Sequence, residues 1–269
     1  MTLTYGVHSE AGVLRRVLVH RPGSEMARLT PANAESLLFD DVLWVKQARI
    51  DHMAFVDVLR DREVEVVLLR EMLEVVVADP VARRWLLDAR INDNSVGVGL
   101  ARDLHACLMD LSANALTHIL IGGMSRTELP IPMAGVVAPM LRDEDFLLAP
   151  MPNQIFTRDS SAWIYGGVAL NPMFWPARRL ETLNLAAIYR FHPDFRTAEF
   201  PVWFGDPLTD HGQATLEGGD VMPIGNATVL VGMGERSTPQ AVGQLARSLF
   251  AGGGAERVIA CQFPRARSS

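Results

Sequence analysis

Two acidic motifs in the later part of this 269-residue chain have residue types suited to binding an organic cation. They are NQIFTRD, at Asn153–Asp159, and LEGGD, at Leu216–Asp220, and arginines follow them at Arg178 and Arg236. A guanidinium group holds its donors in a rigid plane, so carboxylates placed edge-on can bind it fork to fork. An arginine can bind a carboxylate by the same geometry. The pattern therefore predicts a ligand with a guanidinium at one end and a carboxylate at the other.

Each of these candidate residues also has a purely structural interpretation. Asp159 and Glu217 are the candidate cation-binding acids, but Asp159 could pair with a neighbour or cap a turn, and Glu217 could merely end a strand. Arg178 and Arg236 are the candidate carboxylate-binding residues, although a lone arginine after a strand is commonly a solvated side chain. Their equivalent positions after the two motifs favour the functional interpretation. Asn153 suits a turn and could equally donate a hydrogen bond to a ligand.

The elements that position these residues are predicted from hydrophobic periodicity. A β-branched run predicts a strand at Val13–His20, apolar residues at helical spacing predict a helix over Asp40–Arg60, and Glu63–Leu69 predicts a second strand. Helical periodicity then dominates from about Met72 to Arg142. The chain is therefore expected to open with strand, helix and strand, followed by a helical segment.

The region after this helical segment contains a weak internal repeat. Phe156–Pro172 and Glu217–Gly232 each contain an acid, an alternating strand, a tight Gly-Gly or Gly-Asn turn and a returning strand, at a spacing of about sixty residues. The second copy continues into a predicted helix at Ser237–Phe250, which either Ser237 or Thr238 could cap, and a strand at Arg257–Phe263. By pattern alone, Phe156 is expected in the core. The repeat predicts a pseudo-symmetric array of similar units.

Composition excludes several classes of function. The chain is 49% hydrophobic and 21% charged, which is typical of a globular protein, and its net charge is -6. Basic residues are scattered, so no nucleic-acid partner is expected. No apolar stretch is long enough to span a bilayer, and the first residues lack the pattern of a secretion signal, so we expect a cytoplasmic protein without a membrane partner.

The cysteines and histidines indicate neither a disulfide framework nor a metal site. Cys107 and Cys261 are the only cysteines, and both are expected to be buried core thiols. The seven histidines lack zinc-site spacing, and no glycine-rich nucleotide motif occurs. No metal and no cofactor are therefore expected.

Seven motifs are spread along the chain: GVHSEAG from Gly6, LLFDDVLWV from Leu37, PNQIFTRD from Pro152, WIYGGVALNP from Trp163, WPAR from Trp175, TLEGGDVMPIG from Thr215 and GMGER from Gly232. Together they resemble the motifs of bacterial arginine deiminases, and the resemblance covers essentially the whole chain. It implies an α/β fold of the pentein type, a propeller of five pseudo-symmetric ββαβ units around a central channel, with an inserted all-helical subdomain. The implied domains are a first propeller unit at residues 1–71, the helical insertion at 72–145, and the second and third units at 146–269.

The resemblance also implies an activity and a set of residue roles. The activity is hydrolysis of L-arginine to L-citrulline and ammonia, through a cysteine thiolate that attacks the guanidinium carbon. No cofactor takes part. In the implied roles, Asp159 holds the guanidinium nitrogens, Glu217 joins a histidine in proton transfer, Arg178, Arg236 and Asn153 bind the substrate carboxylate, and Leu38 and Phe156 pack on its aliphatic stem.

One departure from the family pattern affects these expectations. Family members continue into a Met-His-Leu-Asp segment with the catalytic histidine and a second aspartate, and then into a cysteine nucleophile loop, and this sequence contains neither. We therefore expect the N-terminal two thirds of a family member, with three of five units, inactive alone and homo-oligomeric when full length.

Two alternatives stay open. One is a catalytically inactive arginine-binding or interaction protein. The other is a different guanidine-modifying pentein, such as an amidinotransferase or a dimethylarginine hydrolase.

Overall fold

The structure is a computed structural model that describes residues 5–132 and 135–264. The chain divides into two compact units: the first is Arg15–Ile155, and the second combines Met1–Leu14 with Phe156–Ser269. The outermost ends of the predicted domains, residues 1–4 and 265–269, lie outside the described residues. The predicted domain boundaries and the count of propeller units stay predictions. Within the described residues, no helix is long and apolar enough to cross a membrane.

The first unit begins with a parallel strand pair. Strand β1 (Arg16–Val19) pairs in parallel with β2 (Glu65–Leu68), and helices α1 (Ser24–Ala27) and α2 (Val45–Arg60) lie between them in the chain. The predicted order of strand, helix and strand is confirmed. A short 3-10 helix at Glu35–Leu37 precedes α2.

The rest of the first unit is mainly helical, as the periodicity predicts. The helices pack through fully buried leucines such as Leu73, Leu86 and Leu116. Helix α4 begins at Pro80. The Asp79 side chain caps it by accepting a hydrogen bond from the Val81 amide, and proline is favoured at the first helical position. The elements are α3 (Leu69–Ala78), α4 (Pro80–Arg90), α5 (Asp93–Val96), α6 (Ala101–Met109), α7 (Ala113–Gly122) and the antiparallel strands β3 (Met124–Ser125) and β4 (Phe146–Leu148).

The second unit contains two modules with the same ββαβ topology. In module A, β5 (Ser161–Ile164) pairs antiparallel with β6 (Gly167–Leu170), α8 (Arg179–Phe191) follows, and β7 (Val202–Phe204) returns parallel to β6. The predicted hairpin is therefore present, but its turn consists of Tyr165 and Gly166 and not of the Gly-Gly pair, because Gly167 already pairs with Ile164. The topology is that of one predicted repeat unit.

Module B repeats this order. Strand β8 (Val221–Gly225) pairs antiparallel with β9 (Thr228–Met233), α9 (Pro239–Ala251) follows, and β10 (Arg257–Gln262) returns parallel to β9. Thr238 caps α9 by accepting from the Ala241 amide, as predicted. The internal repeat is thus confirmed as a repeated topology, whereas closure into a propeller stays a prediction.

The N-terminal segment of the second unit joins the two modules. Val7 forms an antiparallel bridge with Tyr165 of module A, and Ser9 forms one with Ile224 of module B. The Arg158 guanidinium also pairs with Glu10, at 2.6 Å and 3.0 Å. These contacts explain why the first residues group with the modules and not with β1.

The expectation of two buried thiols is wrong. Cys107, in α6, is half-buried, and Cys261, in β10, is exposed. Strand β10 is an edge strand that pairs with β9 alone in its sheet, so side chains along it face solvent. An apolar run in the sequence predicts a strand but does not show that both faces of that strand are covered.

Candidate active site

The two acidic motifs meet through their backbones, just before the first strand of each module. The carbonyl oxygen of Asp159 accepts hydrogen bonds from the Gly218 amide, at 2.9 Å, and from Asn171 Nδ2, at 2.8 Å. Asp159 lies two residues before β5, and Glu217 lies four residues before β8. The repeat therefore brings the two candidate acids, which are far apart in sequence, to one place.

Arg178 lies at the centre of the resulting cluster, and its guanidinium is almost fully buried. Its Nε and Nη2 bind the two carboxylate oxygens of Glu181, at 3.0 Å and 2.9 Å. Its Nη1 donates to Asp159 Oδ2 at 2.9 Å and lies 4.0 Å from Glu217 Oε1. An arginine guanidinium thus already lies between the two acids that the sequence predicts to bind one.

Glu217 is buried and only partly paired. Its Oε2 accepts from Arg236 Nη1 at 3.3 Å, and the Arg236 side chain is 47% exposed. Its Oε1 is buried and accepts no hydrogen bond within the described part of the chain. A buried carboxylate oxygen that accepts no hydrogen bond raises the free energy of the folded state. A further hydrogen-bond donor placed at this atom would therefore be stabilising.

Ser237 fixes the backbone that carries Glu217. Its hydroxyl donates to Asp220 Oδ2 at 2.5 Å and accepts from the Glu217 amide at 3.0 Å. Asp220 holds the position in module B that Asp159 holds in module A, directly before the first hairpin. The two equivalent acids therefore differ, because Asp220 is engaged by a hydroxyl and Asp159 by an arginine.

Burial governs the electrostatics of the cluster. Burial raises the pKa of Glu217, with Arg236 and Arg178 acting against it. Burial likewise raises the pKa of Glu181 to about 7, although the contact with Arg178 lowers it. For Arg178, burial works to lower the pKa, but the hydrogen bonds and charges of Glu181 and Asp159 outweigh it and the pKa is raised.

The charges of the cluster do not balance when all groups are ionised. Three carboxylates, from Asp159, Glu181 and Glu217, surround two guanidinium groups, from Arg178 and Arg236. One negative charge is in excess. The arrangement can therefore accept one more cation with planar hydrogen-bond donors.

Phe156 is not a core residue, so the expectation from its pattern is wrong. Its side chain is 51% exposed, and the guanidinium carbon of Arg178 lies 5.7 Å from the centre of its ring. The ring face thus contributes a cation–π contact to the cluster. Its predicted contact with the stem of a ligand stays a prediction.

Leu38 and Asn153 belong to the first compact unit, where the structure joins them. Asn153 is buried and its Nδ2 donates to the Leu37 carbonyl at 2.7 Å. Leu38 is half-buried, with a positive φ of 65° at the end of the 3-10 helix. The amide of Asn153 therefore supports this turn, and the predicted roles of both residues toward a ligand stay predictions.

Sequence reasoning missed Glu181 and Ser237. Glu181 follows Arg178 by three residues at the start of α8, a spacing at which oppositely charged side chains meet, and that signal could have identified it. Ser237 was recognised only as a possible helix cap, and the cap is Thr238.

No bound group is indicated at the cluster by residue type. Within the described residues, no set of three or more histidine, cysteine, aspartate or glutamate side chains could hold a metal ion. A cavity of about 270 Å³ lies elsewhere in the second unit, lined by residues that include Asn171, Arg179 and His211. None of the seven predicted site residues lines it.

Gly218 and Gly219 allow the acidic loops to approach, and they give a matched test. A Cβ at Gly218 would lie 1.9 Å from the Arg158 carbonyl oxygen, whereas a Cβ at Gly219 would lie 3.1 Å from Asp159 Oδ1, a side-chain atom that can shift. We expect Gly218→Ala to lower the free energy of unfolding by more than about 2 kcal/mol, and Gly219→Ala by less than about 1 kcal/mol. Urea unfolding measures both, and equal losses would contradict this account of the loop.

Fold and site together define a class of protein: a mixed α/β chain of repeated ββαβ modules whose acids and arginines form a buried cluster of charges. The model of one family, described as arginine deiminase, matches residues 35–269. The chain belongs to the arginine deiminase family.

Solved structures with a similar fold include two enzymes. One is dimethylarginine dimethylaminohydrolase from Pseudomonas aeruginosa, a cysteine-to-serine variant complexed with citrulline, with 13% identity, a TM-score of 0.48, and coverage of 95% of this chain and 63% of that chain. The other is an amidinotransferase of saxitoxin biosynthesis from Microseira wollei, with 12% identity, a TM-score of 0.46, and coverage of 95% and 63%. The chain thus spans less than two thirds of the length of either structure.

Proposed function

We propose that this protein acts on guanidino compounds, as an arginine deiminase that hydrolyses L-arginine to L-citrulline and ammonia. The observation that carries the proposal is the buried Glu217 Oε1, which lacks a hydrogen-bond donor in the described residues and lies beside Asp159 in a cluster with one excess negative charge. A substrate guanidinium would supply both the missing donor and the missing charge. Membership of the arginine deiminase family supports the same chemistry.

In this proposal the residues of the chain bind and orient the substrate. Asp159 and Glu217 fix the plane of the guanidinium, and burial raises the pKa of Glu217, which favours a role in proton transfer. In the reaction that the family resemblance implies, a cysteine thiolate attacks the guanidinium carbon, ammonia leaves and water opens the intermediate. The part proposed for Asp159 and Glu217 is to hold the guanidinium in place for that attack. Arg236, half exposed, binds the substrate carboxylate with Arg178 and Asn153, while Leu38 and Phe156 pack on its stem.

The remaining expectations belong to the same proposal. They are a closed pentein-type propeller, the unit boundaries given above, a cytoplasmic location and homo-oligomeric assembly. The repeated ββαβ topology of modules A and B supports the propeller.

The test is a calorimetric titration of the purified protein with L-arginine, agmatine and L-lysine, combined with an assay for citrulline. We expect L-arginine to bind at least about 100-fold more tightly than L-lysine, because an ammonium group cannot form the fork-to-fork contact. Equal affinity for the two amino acids would contradict the proposed recognition. Transfer of the amidino group to an amine, in place of citrulline formation, would indicate an amidinotransferase.

A second candidate function is arginine binding without catalysis. It is favoured by the positions of the cysteines, since Cys107 lies in α6 and Cys261 is exposed on the edge strand β10. Neither forms a hydrogen bond with Asp159 or Glu217 within the described residues. L-Arginine binding by the purified protein without formation of citrulline would support this candidate.

A further inference from the structure

Glu181 is the most deeply buried charged group of the site. Oppositely charged residues three positions apart on a helix usually pair at the surface, whereas Glu181 and Arg178 pair in the interior. It lies in the first turn of α8, three residues after Arg178, and its side chain has no solvent exposure. Its carboxylate contacts Arg178 fork to fork, through Nε and Nη2. A buried ion pair contributes little net stability relative to apolar residues, so stability alone does not account for it.

The contact with Glu181 decides which part of Arg178 faces the acids. With Nε and Nη2 bound to Glu181, Nη1 is directed to Asp159 Oδ2, at 2.9 Å, and toward Glu217 Oε1, at 4.0 Å. A guanidinium is planar, so fixing one edge fixes the direction of the remaining nitrogen. Glu181 thereby sets the distance between Arg178 and both acids without itself facing the ligand.

We infer that Glu181 is a positioning residue: it orients Arg178, and through Arg178 it places Asp159 and Glu217 for binding of the substrate guanidinium. The inference rests on the proposed function. Loss of Glu181 should weaken every ligand that carries a guanidinium, with or without a carboxylate. It should therefore weaken the binding of agmatine as well as that of L-arginine, whose carboxylate also contacts Arg178 in the proposed function.

The protonation of Glu181 gives this role a characteristic pH dependence. The charged groups that act on Glu181 are Arg178, Asp159 and Glu217, and burial raises its pKa to about 7. Below that pH the Glu181 carboxyl is neutral and no longer accepts hydrogen bonds from both Nε and Nη2 of Arg178 through a charged pair of oxygens. Affinity for both ligands should therefore fall as the pH is lowered through 7, and this part of the pH dependence should be absent in Glu181→Gln.

The first arm of the experiment is spectroscopic and needs no ligand. The Nε–H of Arg178, assigned through its side-chain carbons in ¹H–¹⁵N spectra, should exchange slowly with water in the native protein. We expect at least about tenfold faster exchange in Glu181→Gln, partial recovery in Glu181→Asp, and no change in the exposed control Glu256→Gln. An unchanged Nε–H in Glu181→Gln would overturn the inference.

The second arm measures dissociation constants of L-arginine and agmatine by calorimetry between pH 6 and pH 8.5. We expect both constants to rise at least about tenfold in Glu181→Gln, with little change in Glu256→Gln. Native affinity for both ligands in Glu181→Gln would overturn the inference while leaving the proposed function intact. Binding of neither ligand by the native protein would refute the function, and a faster Nε–H exchange would then show a structural contact only. If Glu181→Gln does not fold, Glu181→Asp takes its place in both arms, and an unchanged Nε–H exchange together with native affinities in Glu181→Asp would overturn the inference.

Discussion

Replacing Arg178 by methionine is expected to lower the free energy of unfolding by about 3 to 5 kcal/mol at pH 8. Methionine occupies a similar volume but leaves the fully buried carboxylate of Glu181 without its countercharge, and Asp159 without its donor. Urea unfolding monitored by circular dichroism measures the loss. The matched control is Arg102→Met: Arg102 has a side chain that is 93% exposed and pairs with its neighbour Asp103, so its loss should stay below about 0.5 kcal/mol.

The loss in Arg178→Met should be smaller at pH 6 than at pH 8. The pKa of Glu181 is raised above its unfolded value, to about 7, so its contribution to stability is present at low pH and disappears as the pH rises through 7. A protonated Glu181 needs no countercharge. The double variant Arg178→Met with Glu181→Leu should recover most of the loss at pH 8. A single-variant loss that is the same at both pH values would show that Glu181 is not the group left uncompensated.

Replacing Asp159 by asparagine is expected to raise the dissociation constant of L-arginine by about 100-fold or more, with an equal effect on agmatine. Asparagine keeps the shape of the side chain but removes the charge that faces the guanidinium, and it offers a donor where an acceptor is required. Because both ligands carry the guanidinium, the affinity for each of them should fall. Calorimetric titration of the two ligands measures it.

The module B equivalent of Asp159 provides the control for this prediction. Asp220 lies at the same place before its hairpin, but its carboxylate is bound by the Ser237 hydroxyl and not by a guanidinium. Asparagine can still accept that hydrogen bond, so Asp220→Asn should change the affinity for L-arginine by less than about threefold. Similar losses in the two variants would show that the repeat, and not the particular contact of Asp159, determines binding.

Much of the site could be predicted from the sequence because its signals are local. A carboxylate before a hairpin, followed by an arginine, occurs twice in the chain, and the hairpins at Trp163 and Met222 are confirmed. The strand and helix order of the repeat is also confirmed, since periodicity and caps such as Thr238 depend on near neighbours. The four charged residues named from the motifs indeed lie in one cluster.

What the sequence left undetermined was the partner of each charge and the exposure of each apolar residue. Alternating residues predict a strand, but only the edge position of β10 decides that Cys261 is exposed. Phe156 lies in the loop before β5, and its exposure likewise depends on the tertiary structure around that loop.

By itself, then, the sequence determined the residue types, the repeat and the acids and arginines of the candidate site, because those depend on composition and spacing along the chain. Tertiary structure alone decided that Arg178 is held by Glu181 and that Glu217 keeps one buried oxygen without a donor in the described residues. The physical reason is that burial and pairing of charges are set by contacts across distant segments, such as the hydrogen bond of Gly218 to Asp159.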